Sequence, residues 1–136
     1  MTDAPSALAA SEVHAWMVAY RDALASHQQR VNRLNVYPVP DGDTGTNMAR
    51  TLDAVVAELD HLDADAGMAE VCKAVAHGSL MGARGNSGVI LSQLLRGLAD
   101  RLSPLTRAGP AEVAEALVVA GDLARQAVVR PVEGTI

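Results

Sequence analysis

Phenylalanine is absent, tryptophan occurs once and tyrosine twice, so aromatic stacking contributes little to the core of this chain. The single cysteine, Cys72, excludes an internal disulfide, and none of the four histidines has a cysteine partner or an i, i+4 histidine that would suggest zinc. Lysine also occurs once, at Lys73, which excludes the Gly-Lys-Ser/Thr ending of a Walker A phosphate loop. No apolar run reaches the roughly 18 residues of a membrane span, and no signal-peptide pattern opens the chain. A reducing cytoplasm is therefore the expected location. With a net charge of −5 and scattered arginines, the sequence offers no basic face for nucleic acid. Strand-like alternation and internal repeats are missing too.

What remains is helical. A length of 136 residues suits one domain, and 49% hydrophobic content built from Ala, Val and Leu suits helices packed at short range. Residues 1–7 read as a disordered start. A first helix is expected over residues 8–29, carrying Val13, Trp16, Met17, Tyr20 and Leu24, and a second over about 45–62. A polar link at 63–67, with Asp63 or Asp65 as cap, leads to a third helix through Val71, Val75 and Ala76. Ile90, Leu91, Leu94, Leu95, Leu98 and Leu102 mark the buried stripe of a fourth. After a linker at 103–109, Pro110 suits the first position of a fifth helix reaching about residue 129. The expected fold is an all-α up-and-down bundle, with its two glycine-containing loops at one end if the helices alternate in direction.

Those loops hold the chemistry. In the first, Pro38 and Pro40 remove backbone donors and stiffen the approach to Asp41, and Gly42 lets the carboxylates of Asp41 and Asp43 converge. Paired hard oxygens suit Mg²⁺, which takes one or two carboxylates plus waters and substrate phosphates. Thr44, Gly45, Thr46 and Asn47 then favour a helix start, whose free N–H groups and positive dipole end can receive a phosphate. A Pro/Gly turn with a solvated acidic cap accounts for the same residues. A calcium hand does not, since counting from Asp41 puts Leu52 where the bidentate Glu belongs. In the second loop, Gly78, Gly82, Gly85 and Gly88 give a backbone able to bend around a ligand, with Asn86 or Ser87 capping the helix that follows. A small-residue turn between helices is the competing reading. Arg84, between glycines, either adds positive charge near a phosphate or simply solubilises the turn. His77, just before this loop, and Cys72, on a helical stripe, read as structural or solvent-exposed and as a core residue, respectively.

Taken together, residues 35–48 and the run from Gly82 to Gln93 resemble the N-terminal nucleotide-binding domain of bacterial fatty acid kinase A proteins, which is similar to the DhaL subunit of dihydroxyacetone kinase. The resemblance extends to residues 131–136, which look like the start of a third family motif, so it implies an incomplete DhaL-type domain over residues 8–136. It implies that Asp41 and Asp43 hold two Mg²⁺ ions on the phosphates of ATP or ADP. Asn35 stands near the place of a further acid of the dihydroxyacetone kinase branch. By the same resemblance, Thr44, Gly45, Thr46 and Asn47 contact phosphate, Gly85, Asn86, Ser87 and Gly88 form the second phosphate loop, and Glu133 and Thr135 lie near the nucleotide. The dihydroxyacetone kinase branch has His where this chain has Thr44, a departure that favours the fatty acid kinase branch.

The implied activity is phosphorylation of a fatty acid carboxylate presented by a partner fatty-acid-binding protein. A dihydroxyacetone kinase L-type subunit and a non-catalytic nucleotide-sensing domain are the alternatives. Acceptor binding and any homodimer contact would belong to family regions beyond Ile136, so this piece alone is expected to show no turnover.

Overall fold

The apolar residues that recur at helical spacing form the inward faces of five α-helices in a computed structural model, which describes residues 7–34 and 42–128. These are α1 (Ala10–Leu34), α2 (Thr44–Asp60), α3 (Met68–Gly82), α4 (Gly85–Leu102) and α5 (Pro110–Gln126). The described residues include no strand, in keeping with the expected all-α class. One antiparallel bridge pairs Leu8 with Ala108, so the entry to α1 is tied to the connection between α4 and α5.

Each helix packs on the next in sequence, and α2 also reaches α4. This makes α2 the central element. Its Leu52, Val55 and Leu59 meet Val71, Cys72 and Val75 of α3 and Leu91, Leu95 and Leu98 of α4 in one core. Without phenylalanine, helices must approach closely to fill that space, and glycine permits it. A Cβ on Gly78 would lie 2.9 Å from Val55 Cα, and one on Gly82 would overlap the Cβ of Ala54.

This contact corrects the expected second loop. Gly78 and Gly82 are not loop residues: α3 continues through them to Gly82, because burial against α2 outweighs their poor helix propensity. The connection to α4 shrinks to Ala83 and Arg84. Helix starts differ as well. Arg84, not Asn86 or Ser87, is the N-cap of α4, and Gly67, not Asp63 or Asp65, is that of α3. In neither case does a side chain supply the cap, so the extended backbone at Gly67 and Arg84 sets the entry angle. Helix α1 runs five residues past the expected end at residue 29, to Leu34.

Candidate functional site

Two residues of α1 with no motif of their own hold the start of α2. Gln28 Nε2 donates to Thr46 Oγ1 at 3.0 Å, and Asn32 Nδ2 donates to the same oxygen at 2.9 Å. In return the Thr46 backbone N–H donates to Asn32 Oδ1 at 3.1 Å. The helices are in close contact here, since a Cβ on Gly45 would fall 2.5 Å from the Gln28 carbonyl oxygen. Asp43 is the N-cap of α2, and its carbonyl accepts the Asn47 N–H at 2.9 Å.

From α2 the site continues to the α3–α4 turn. Thr51, fully buried, donates its hydroxyl to the Asn47 carbonyl at 2.8 Å and accepts the Arg84 backbone N–H at 3.4 Å. Gly88 lies against the same hydroxyl, where a Cβ would come within 2.6 Å of Thr51 Oγ1. Gly85 has φ of 66° and faces the Asn47 amide so closely that a Cβ would overlap Nδ2 and stand 2.9 Å from Cγ. The N-termini of α2 and α4 therefore share one rim. Helix α4 begins there with the N–H groups of Gly85, Asn86 and Ser87 ahead of its first backbone bond, Gly88 N–H to the Arg84 carbonyl. The Asn47 amide, beside Gly85, adds N–H donors to a rim already positive by virtue of the helix dipole. Such a rim is suited to an oxyanion.

Gly85→Ala tests this junction. A non-glycine residue in the left-handed region costs about 1 kcal/mol, and the methyl group also displaces Asn47. The expected result is a stability loss of about 1 kcal/mol and affinity for a phosphate-bearing ligand reduced about ten-fold; calorimetric titration and thermal melts read both.

Thr44, Gly45, Thr46 and Asn47 thus lie in the first turn of α2, and Gly85, Asn86, Ser87 and Gly88 in that of α4, with Asn47 against Gly85. Ser87 and Gly88 are buried while Asn86 is exposed. Arg84 is exposed, and its guanidinium donates to the Ala83 carbonyl at 3.1 Å. Asn35, Asp41, Glu133 and Thr135 lie outside the described residues. Among the described residues no three His, Cys, Asp or Glu side chains cluster as a metal site. The donor type still fits magnesium: Asp43 stands exposed at the rim, after Gly42 in the left-handed turn at φ 67°. His77 is not brought to the rim. It pairs through Nδ1 with Glu58 Oε1 at 2.7 Å, and Glu58 lies roughly 20 Å along α2 from Thr44. Cys72 is buried in the core, and burial pushes its thiol up to about 11, which leaves it neutral and unreactive near pH 7. No helix of the described residues is long and apolar enough to cross a membrane.

Comparison with known proteins bears on the same segments. The family model of the DAK2 domain matches residues 38–136. Protein YloV of Bacillus subtilis (strain 168) is 47% identical over 113 residues, which cover 83% of this chain and 20% of that protein. The uncharacterized protein SSP1546 of Staphylococcus saprophyticus is 45% identical and SH1689 of Staphylococcus haemolyticus 44%, each over 113 residues with the same coverage, 83% and 20%. The chain spans about a fifth of the length of these relatives.

Proposed function

The chain belongs to the DAK2 domain family, which is kinase-related, and we propose that it is the ATP- and magnesium-binding module of a kinase that phosphorylates the carboxylate of a fatty acid. The acyl substrate would be held by a partner fatty-acid-binding protein. The observation that carries this reading is the contact between Asn47 and Gly85, because it puts the first turns of α2 and α4 at one rim. Phosphoryl transfer needs positioning and charge neutralisation more than covalent chemistry, and converging N–H donors supply part of both.

In this reading the first-turn N–H groups of α4 and the Asn47 amide orient the phosphates, and Arg84 adds positive charge beside them. Asp41 and Asp43 would hold two Mg²⁺ ions, with Asn35 as a further candidate ligand, and bound magnesium would neutralise phosphate charge. By the family resemblance, Glu133 and Thr135 would supply polar groups to the nucleotide. Thr44 in place of the histidine of the dihydroxyacetone kinase branch supports a carboxylate acceptor over a ketose. The protein would work in the cytoplasm.

Titration calorimetry of the chain with ATP, with and without magnesium, tests the module. Saturable one-to-one binding that EDTA abolishes is expected, and no saturable heat under either condition rejects the assignment. The acceptor is tested with the full-length protein. Label passing from ATP to a protein-bound fatty acid supports the fatty acid kinase reading, and label on dihydroxyacetone replaces it with the ketose kinase alternative.

A further inference from the structure

We propose that Gln28 and Asn32 are positioning residues that fix the Thr46 hydroxyl as a hydrogen-bond donor toward the bound phosphate; this rests on the nucleotide-binding reading above. A threonine hydroxyl has two lone pairs and one proton. The Asn32 and Gln28 amides donate into Oγ1 at 2.9 and 3.0 Å, so both lone pairs are taken. The orientation of Asn32 is set by the backbone, because Thr46 N–H can only donate and lies 3.1 Å from Oδ1. Turning that amide over would set its NH₂ against the backbone N–H. Its nitrogen must therefore face the hydroxyl as a donor.

The Thr46 backbone N–H is thus spent inside the protein and does not serve the phosphate, which modifies the part expected of this residue. The hydroxyl proton is what remains. It finds no acceptor among the described residues and sits in the first turn of α2, one residue before Asn47. A hydroxyl held in this way presents a donor whose direction does not depend on the ligand, so the preorganisation comes from α1 rather than from the loop.

Asn32→Asp tests the idea because it keeps the acceptor for Thr46 N–H but replaces the facing donor with an acceptor, drawing the hydroxyl proton inward. The added charge also repels phosphate, so the variant is read in a double-mutant cycle with Thr46→Val. Calorimetry with MgATP should show Thr46→Val weaker by about ten-fold. Asn32→Asp should cost about ten-fold more in the wild-type background than in the Thr46→Val background, where only the charge effect survives. Thr46→Ser should restore near-normal affinity. If Asn32→Asp melts early, Gln28→Glu captures the same proton and is read in the same cycle. Equal losses in both backgrounds, with wild-type binding intact, overturn this inference alone. A wild-type chain that binds no MgATP overturns it together with the nucleotide reading.

Discussion

Asp43→Ala is expected to remove magnesium-dependent nucleotide binding while leaving the helices in place. The two effects separate because of how Asp43 is used. Its main-chain carbonyl closes the first turn of α2 on Asn47 N–H at 2.9 Å, a bond any residue can make. Its side chain makes no capping hydrogen bond, so truncation removes no cap. Removing a negative charge near the positive end of the helix costs about 1 kcal/mol at an exposed position. The ligand loses far more. Substituting groups that merely orient a metal's ligands costs about 10- to 100-fold, and a carboxylate that holds the metal should cost at least the upper figure. Asp43→Asn keeps the shape and removes the charge, so it should fail similarly. In EDTA, wild type and variant should converge. A variant that binds MgATP with wild-type affinity would reject Asp43 as a metal ligand, whatever the fate of the phosphate rim.

Much of this architecture is legible in the sequence because apolar spacing survives burial. The stripe Leu91, Leu95, Leu98 and Leu102 places α4 to its last residue, and Pro110 places the start of α5. The rim is less legible. Val13, Met17, Tyr20 and Leu24 form a stripe that ends, and a helix read from apolar spacing ends with it. In the structure the four-residue step from Leu24 continues through Gln28 and Asn32, with polar groups now facing α2, before the helix ends at Leu34. Polarity makes those positions look solvated, although they bond to Thr46. Thr51 is hidden for the opposite reason. It lies on the apolar face of α2, fully buried, and nothing in its spacing distinguishes a core hydroxyl from one that bridges to Arg84. The glycines divide by use, which residue type does not reveal. Gly85 does make a left-handed turn, but Gly78 and Gly82, four residues apart, form a flat helical face that lets α3 rest on α2.

The same distinction predicts opposite signs for glycine substitutions in neighbouring helices. Within a helix, Gly→Ala ordinarily stabilises by about 1 kcal/mol through propensity alone. Gly121 in α5 is exposed, and a Cβ there would meet nothing within 4 Å, so Gly121→Ala should show that gain in chemical denaturation. Gly97 in α4 is buried against α5, where a Cβ would lie 2.6 Å from Ala120 Cα and 2.9 Å from its nitrogen. Backbone cannot swing aside as a side-chain tip can. A methyl group must therefore push the helices apart, and overpacking of this kind costs about 1–3 kcal/mol, enough to exceed the propensity gain. Gly97→Leu should cost more than about 3 kcal/mol, because separating α4 from α5 also uncovers Ala116 and Ala120, both fully buried. For a chain of this size that is a large share of total stability, and a strongly reduced denaturation midpoint is expected. A Gly97→Leu protein as stable as wild type would show that α5 is not seated on α4 at this distance.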